Sequence, residues 1–496
     1  MVGEAAEVGE AAEPDLLDTP LAGPAALRGS VLRTASYVLG ILLSLISARV
    51  LIGHLGIADF GRYTAVIALI TIVAGFTEGG LNSVVLREFA TLDADRRRQM
   101  MASAIGIRLL LTVVGVAFAV AFAAAGGYGS TLVLATALAG VGLVLQLLQS
   151  TLSMTLQAQL RFGWASAADL LRQVVNVALL VALALAGAGL LPLLAVAIPA
   201  SAVSLAFTVP LVARYTPLRP SFDVGRWWQL LREAVPWAVV AAVSVVYLRV
   251  AIVLMSLIAS PVQTGYFATS FRITEVLIGI PVLVVSAAFP ILARAARDDA
   301  ERFVSASGRI FELALLAGTW MVLCLEVGAG FAIHVIAAGK ADPSIAVLRI
   351  QGLALIASFA IVACGFPVLS MRRYRGVIYS NLGALAVSAA LTLALVPSLG
   401  ARGAAIAAVV AETGLAIAVA IVLVRSQHEV RLPLSVIPVA ALAGGAGLLV
   451  GLLLPIHPLL GALLASVVYF GVLRLLGRFP GEVAELLGGR LGALGR

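Results

Sequence analysis

A small set of charged side chains lies inside stretches of sequence that are otherwise apolar. An ionisable group at the centre of a bilayer costs about 2.5 to 3.5 kcal/mol on insertion scales. Each such group therefore needs an oppositely charged partner or a water-filled cavity, and these residues either pair or bind something charged. They are Glu78, Arg108, Asp169, Arg172, Arg249, Arg272, Glu275, Glu312, Glu326, Arg349 and Glu412.

Arg249 stands out because it lies some way into the apolar stretch V-V-Y-L-R-V-A-I-V, with no acid within a helical turn. A guanidinium group suits phosphate because its planar fork donates two hydrogen bonds at once. We therefore predict that Arg249 contacts an anionic substrate. Snorkelling to the surface, or pairing with an acid of another helix, are the alternatives.

Other charges have possible partners nearby. Arg272 and Glu275 are three residues apart on one helical face and can satisfy each other, as can Asp169 and Arg172. Glu78, Arg108 and Glu412 have the same two possible roles as Glu275, which are ion coupling and charge pairing. Arg108 can pair with Glu78 on the preceding span, and Glu412, in the middle of its span, either couples a proton or cation or bonds to a neighbouring helix.

Several kinds of chemistry have no support in the sequence. There is no G-x-S-x-G nucleophile elbow and no P-loop, so nothing favours hydrolytic catalysis or ATP hydrolysis. The histidines do not have the spacing of metal ligands, and we predict no metal and no cofactor. They are His54, His334, His428 and His457.

The composition is that of a polytopic all-α membrane protein. Of the 496 residues, 61% are hydrophobic and only 12% are charged, against about 25% charged residues in soluble domains. A spanning helix needs roughly 20 mostly apolar residues, and about fourteen such stretches occur. They are 29–52, 61–86, 100–125, 131–157, 166–188, 190–213, 233–259, 265–292, 308–334, 344–370, 376–397, 402–424, 434–454 and 458–476.

The distribution of arginines predicts the orientation. The net charge is +8, and most of the arginines lie at alternate ends of the spans. The opposite ends hold only Arg49, Arg62, Lys340 and Arg402. By the positive-inside rule, the protein is a multi-pass protein of the cytoplasmic membrane with both termini in the cytoplasm. Because the arginines do not share one soluble face, we predict no nucleic-acid partner.

A weak internal repeat predicts two similar halves. At an offset of 204 residues, Gly61 aligns with Gly265, and Pro281 falls close to the equivalent of the Gly79-Gly80 pair. Interruptions at matching depth in two halves point to a central transport site. We predict an acidic cytoplasmic tail at 1–28, six-helix bundles at 29–215 and 216–430, two additional spans at 431–478, and a cytoplasmic amphipathic tail at 479–496.

Short motifs along most of the chain carry a family resemblance. In their order and spacing, the sequence resembles the Wzx-like oligosaccharide flippases of the multidrug/oligosaccharidyl-lipid/polysaccharide exporter superfamily. The motifs are Ala48-Arg49 before Leu55-Gly56, Phe60-Gly61-Arg62-Tyr63, Arg219-Pro220-Ser221-Phe222-Asp223, Gly265-Tyr266-Phe267 through Phe289-Pro290, Leu348-Arg349, and Leu399-Gly400-Ala401-Arg402-Gly403-Ala404-Ala405.

The resemblance implies a non-enzymatic transporter. Two six-helix bundles would surround a cavity whose cations receive the diphosphate of a polyprenyl-linked oligosaccharide. Carried over residue by residue, it favours Arg49, Arg249 and Arg272 as the diphosphate site. The implied partners are the polyprenyl-diphosphate-linked oligosaccharide, membrane lipids, and the glycosyltransferases and polymerase of the same pathway, which makes lipopolysaccharide or exopolysaccharide.

Four alternatives remain open from the sequence. Within the same class they are a flippase for the lipid-linked peptidoglycan precursor and a cation-coupled drug exporter. A membrane-embedded polysaccharide polymerase or ligase would need a sizeable outward loop, and the predicted outward loops are turns. A scaffold that gathers glycosyltransferases would need no charges within its spans.

Overall fold

The computed structural model describes residues 22–78, 80–89, 92–159, 161–213, 219–371, 373–425, 430–454 and 457–479. Within these ranges the chain is helical and contains no strand, which confirms the predicted all-α fold. The helices are α1 (Ala22–Glu78), α2 (Leu81–Phe89), α3 (Ala94–Ala125), α4 (Ser130–Ala158), α5 (Phe162–Leu185), α6 (Leu190–Ala195), α7 (Ala197–Val212), α8 (Val224–Ile258), α9 (Pro261–Asp298), α10 (Ala300–Ala337), α11 (Pro343–Gly352), α12 (Ala354–Ser370), α13 (Tyr374–Leu399), α14 (Ala401–Val424), α15 (Val436–Leu453) and α16 (Pro458–Leu475).

Thirteen helical stretches of the described chain are long and apolar enough to cross a membrane. The first, Val38–Glu78, has 41 residues, or roughly 60 Å, which is about twice the thickness of the hydrocarbon core. It contains most of the first two predicted spans, joined at Gly56, whose φ of 75° and ψ of 174° interrupt the helix. Glycine adopts this positive φ at little cost. With two spans in α1, the structure agrees with the predicted number of about fourteen.

The predicted interruptions have different outcomes. The second span does break at the glycine pair, because α1 ends at Glu78, Gly80 has a φ of 77°, and α2 begins at Leu81. The predicted interruption at Pro281 is wrong, since α9 continues through it. Neighbouring helices and local adjustments allow a proline within a membrane helix. Residues 1–21 of the acidic tail and 480–496 of the amphipathic tail lie outside the described residues.

Two long helices, α8 and α9, contact helices of both predicted halves. The helix α8 packs against α1 and α13, and α9 packs against α1, α11 and α12. The helices α15 and α16 pack on each other and on α10. This packing brings α1, α8 and α9 together at the centre of the molecule, while the bounds of the two six-helix bundles stay a prediction.

A close backbone contact lies between α1 and α9. A Cβ atom on Gly61 would overlap the carbonyl oxygen of Pro261 and lie 2.8 Å from the nitrogen of Gly265, and a Cβ on Gly265 would overlap the carbonyl oxygen of Ile57. The spans α1 and α9 can approach this closely only because both residues are glycine. The contact lies towards the ends of the spans with few arginines; we call the other face of the protein the arginine-rich side.

Candidate functional site

A cavity of about 330 Å³ lies between α1, α5, α8 and α9. We call it the central cavity. Because polar groups within the membrane thickness need partners or water, this cavity is where the spans can hold a polar ligand. Its polar and charged lining residues are Ser44, Ser47, Tyr63, Thr64, Arg172, Gln173, Asn176, Arg249, Arg272 and Glu275.

Glu275 bridges two arginines of the central cavity. Its Oε1 atom accepts a hydrogen bond from Nη2 of Arg249 on α8, and its Oε2 atom accepts from Nη1 of Arg272 at 3.0 Å. The predicted pair of Arg272 and Glu275 is therefore confirmed. Arg249 forms an ion pair with Glu275 of another helix, which is one of the two alternatives to substrate contact given above. One carboxylate cannot neutralise two guanidinium groups, so positive charge remains at this point.

The two arginines are positioned by further contacts from other helices. Nη2 of Arg272 donates to Oγ of Ser44 on α1. The guanidinium carbon of Arg249 lies 5.5 Å from the ring centroid of Phe271, within cation–π range. The side chains of Arg249 and Arg272 are 18% and 36% exposed. Both can therefore reach a ligand in the cavity without leaving their supports.

Arg172 on α5 also lines the central cavity, a role that the sequence analysis did not predict. Its predicted partner Asp169 does act on it electrostatically. The Nε atom of Arg172 is buried and has no hydrogen-bond partner among the described residues. The signal was present in the sequence, because Arg172, Gln173 and Asn176 place three polar residues on neighbouring positions of an otherwise apolar helix. The cavity therefore holds three arginines and one glutamate among its lining residues.

Arg49 lies elsewhere. It is not among the residues that line the central cavity, and its Nη1 atom donates to the carbonyl oxygen of Val335 in the last turn of α10. A cation at a helix C-terminus satisfies carbonyls that have no partner within the helix. In this structure Arg49 thus connects α1 to α10. The nearby Arg62 pairs with Asp59 at 2.6 Å on the surface.

Arg108 and Glu78 lie beside the break between α1 and α2. Arg108 is completely buried, and one of its Nη atoms donates to Oδ1 of Asn82 in α2. Its Nε and other Nη atoms are buried and have no hydrogen-bond partner in the part of the chain that the structure describes. Glu78 is close enough to act electrostatically on both Arg108 and Arg172. The break thus places one carboxylate between a buried cation and a cavity cation.

The remaining charges within the spans have identifiable partners. Glu412 on α14 is 9% exposed and accepts hydrogen bonds from Oγ of Ser358 at 3.3 Å and from the hydroxyl of Tyr247. Both donors lie on other helices, so the predicted bond to a neighbouring helix is present. Two ion pairs account for other acids: Glu326 with Arg349 at 3.9 Å, and Glu312 with Arg478 at 3.1 Å.

The fold is that of membrane transporters. It is similar to the structure described as "Lipid II flippase MurJ, inward closed conformation", with a TM-score of 0.76 and 14% identity over 90% of this chain and 99% of that one. It is also similar to a "multidrug resistance MATE family transporter of the MOP superfamily" in an inward-facing conformation, with a TM-score of 0.60 and 15% identity over 78% of this chain and 95% of that one. At these identities the likeness establishes the fold.

The family follows from the sequence itself. Residues 26–296, more than half of the chain, match the family described as "Polysaccharide biosynthesis protein". The protein belongs to this family, and the resemblance to exporters of this superfamily is confirmed. No curated protein matches the chain.

Proposed function

We propose that the protein is a flippase that moves polyprenyl-diphosphate-linked oligosaccharide repeat units from the inner to the outer leaflet of the cytoplasmic membrane. The observation that carries the proposal is the surplus of guanidinium groups in the central cavity, where Arg172, Arg249 and Arg272 face the single carboxylate of Glu275. A diphosphate diester carries one negative charge on each phosphate, so it suits this cationic lining. Family membership supports a role in the biosynthesis of a surface polysaccharide.

Binding would proceed by exchange of anions. In this structure Glu275 accepts hydrogen bonds from Arg249 and Arg272. A diphosphate offers more acceptor oxygens and more charge than one carboxylate, so it displaces Glu275 from both guanidinium groups. Arg172, which also lines the cavity, adds a third cation. Arg49, which bonds to α10, is left out of the diphosphate site.

Transfer energies explain the need for a protein. A sugar chain with a diphosphate cannot cross hydrocarbon unaided, because each unpaired polar group costs several kcal/mol. The polyprenyl tail is stable in lipid. The cavity would therefore carry the head group while the tail stays in the bilayer, and rocking of the two halves would expose the head to the other leaflet. No covalent bond is made or broken.

The orientation is part of the same proposal. The arginine-rich side faces the cytoplasm, where glycosyltransferases of the pathway assemble the carrier-linked substrate. The opposite side, closed by the contact of Gly61 with Gly265, faces the polymerase that uses it. Both enzymes are candidate partners.

The alternatives differ in the expected charge of their substrates. A lipid-linked peptidoglycan precursor also carries a diphosphate, so a flippase for it would suit the same cavity, and the likeness to MurJ keeps this the second candidate. A cavity with surplus cations disfavours a cationic drug. A scaffold gives no reason for three arginines around one cavity. A polymerase or ligase would need a sizeable outward loop, and the described residues contain none.

Rescue of depleted strains tests the substrate. In a strain that lacks its own oligosaccharide flippase, the protein should restore the surface polysaccharide, whereas it should not restore cell-wall synthesis in a strain depleted of its lipid II flippase. The variant Arg249→Ala/Arg272→Ala should fail, and Arg62→Ala, a surface control outside the cavity, should succeed. Rescue of cell-wall synthesis alone would establish the second candidate. Full activity of the double variant would favour a scaffold.

A further inference from the structure

A second cavity, of about 320 Å³, lies on the arginine-rich side between the first turns of α3 and α8. We call it the α3–α8 pocket. Each helix contributes one face, because the lining positions recur at intervals of three and four residues. Those residues are Arg96, Gln99, Met100 and Ser103 of α3, with Arg226, Gln229, Leu230 and Glu233 of α8.

The pocket is held in place by contacts between the segment before α8 and the body of α3. The backbone N–H of Ser221 donates to the carbonyl oxygen of Ala102 at 2.9 Å. The indole Nε1 of Trp227 donates to the carbonyl oxygen of Ser221 at 3.1 Å. A Cβ on Gly106 would lie 3.1 Å from the Trp227 ring. These contacts fix the start of α8 relative to α3, so the two lining faces keep their spacing.

The lining carries hydrogen-bond donors, among them two guanidinium groups. Ser103 is completely buried, and its Oγ atom has no hydrogen-bond partner in the part of the chain that the structure describes. A buried hydroxyl without a partner lowers stability unless a ligand supplies one. Arg226 shares its charge with Asp223 at 3.4 Å, and Glu233 makes contacts of its own. Arg96 is exposed at the mouth.

The surroundings place the pocket at the level of lipid headgroups. The lining residues lie at the arginine-rich ends of two candidate spans, Asp95–Ala125 in α3 and Ala238–Ile258 in α8, so the pocket lies near the membrane surface. Next to it, Phe222, Val224 and Trp228 are 61%, 73% and 69% exposed. Aromatic side chains of this kind are enriched where membrane and water meet. A ligand of the pocket is therefore expected to come from the membrane surface.

We infer that the α3–α8 pocket binds a phosphate group at headgroup depth, carried either by an anionic phospholipid or by a polyprenyl diphosphate. The guanidinium forks of Arg96 and Arg226 suit phosphate oxygens, and the hydroxyl of Ser103 and the amides of Gln99 and Gln229 can donate to the remaining ones. Because α3 and α8 belong to different predicted halves, a bound phosphate would hold these halves together on the arginine-rich side.

Lipid retention by the purified full-length protein tests the site. The protein is extracted from vesicles of phosphatidylglycerol and phosphatidylcholine, and native mass spectrometry counts the phosphatidylglycerol that stays bound. The variant Arg96→Gln/Arg226→Gln should retain it about tenfold more weakly. The control Arg297→Gln/Arg302→Gln removes two exposed arginines of the same side outside the pocket and should bind like the wild type. Equal loss of bound phosphatidylglycerol in both double variants would mean that general surface charge retains the lipid, and would overturn the inference.

A second variant and a second probe complete the experiment. Ser103→Ala keeps the size and charge of the pocket, so it guards against misfolding of the double variant and should weaken retention more modestly. Farnesyl diphosphate is the probe for the carrier: if it displaces phosphatidylglycerol from the wild type, the ligand is the carrier diphosphate, and if it does not, the ligand is the phospholipid. Unchanged retention in both pocket variants overturns the inference. Binding is measured without transport, so the result is independent of the proposed flippase activity.

Discussion

Gly61 and Gly265 lie in backbone contact although 204 residues separate them, and the contact is reciprocal. Gly61 approaches the carbonyl oxygen of Pro261, and Gly265 approaches that of Ile57. At the offset of 204 residues, Ile57 corresponds to Pro261 and Gly61 corresponds to Gly265. The second contact is therefore the first contact with the two helices exchanged. Reciprocal contact of this kind is the pattern that a two-fold relation between α1 and α9 produces. Because Phe60 and Ala268, which line the central cavity, lie beside these residues, the contact closes one end of it.

We expect Gly61→Ala to open this end. A Cβ atom at position 61 would overlap backbone atoms of α9, and overpacking costs about 1 to 3 kcal/mol. That cost falls on the closed state alone, so it should shift the population towards the open state by about 5- to 150-fold. The measurement is labelling of Thr64→Cys, a cavity position, by an impermeant maleimide from the arginine-poor side, with the natural cysteines replaced.

Gly53→Ala is the matched control for this variant. Gly53 lies on the same helix, and a Cβ there would meet nothing within 4 Å. Its labelling rate should equal that of the unmodified background. If Gly61→Ala also labels at that rate, the contact does not gate the cavity.

We expect Glu275→Gln to tighten anion binding. Glu275 occupies donors of both Arg249 and Arg272, so loss of its charge removes a competitor of the diphosphate. The side chains are partly exposed, which moderates the effect, and we expect the affinity for farnesyl diphosphate to rise about three- to tenfold. Isothermal titration calorimetry measures it. Asp59→Asn, which breaks a comparable surface pair with Arg62, should leave the affinity unchanged, and weaker binding by Glu275→Gln would contradict the exchange mechanism.

A double-mutant cycle tests the link between Glu78 and Arg108. Arg108 is completely buried with two unpartnered nitrogens, and Glu78 is an acid close enough to compensate its charge. Arg108→Met should destabilise the protein less when Glu78→Gln is also present. We expect a coupling free energy of about 1 kcal/mol, measured by unfolding in detergent. The distant pair of variants Glu78→Gln and Arg62→Met should show no coupling free energy. If Glu78→Gln and Arg108→Met also show none, the predicted pair of Glu78 with Arg108 is contradicted.

Glu412 is a candidate for ion coupling that is not among the residues lining the central cavity. It is buried and faces the hydroxyl groups of Ser358 and Tyr247. If it carries the coupling proton, Glu412→Gln should abolish the acceleration of transport by a pH gradient while diphosphate binding stays unchanged. Glu326→Gln, an acid already paired with Arg349, is the control. A gradient response that persists in Glu412→Gln would leave this residue with a structural role.

Local spacing was enough to predict much of the molecule. Apolar runs located the spans, the Gly79-Gly80 pair located the end of α1, and a three-residue interval located the pair of Arg272 with Glu275. These features depend on residues near each other in the chain, so composition and helical geometry determine them. The predicted link between the first two spans is also present, because the non-helical φ and ψ of Gly56 separate them within α1.

Contacts between distant helices could not be derived in the same way. Arg249 finds Glu275 on α9, and Arg49 finds a carbonyl group on α10. Neither partner is encoded by spacing around the arginine. Arg172 was missed for the related reason that a nearby acid, Asp169, offered a local partner. Depth in the membrane indicates that a charge needs a partner, but only the packing of the helices identifies it.

The most direct test is transport of a fluorescent polyprenyl-diphosphate-linked oligosaccharide in liposomes that contain the purified protein, followed by quenching from outside. We predict that the wild type and Arg62→Ala move the label between leaflets, that Arg172→Gln is slower, and that Arg249→Ala/Arg272→Ala is no faster than empty liposomes. Equal rates for the wild type and the double variant would contradict the claim that the arginines of the central cavity carry the diphosphate.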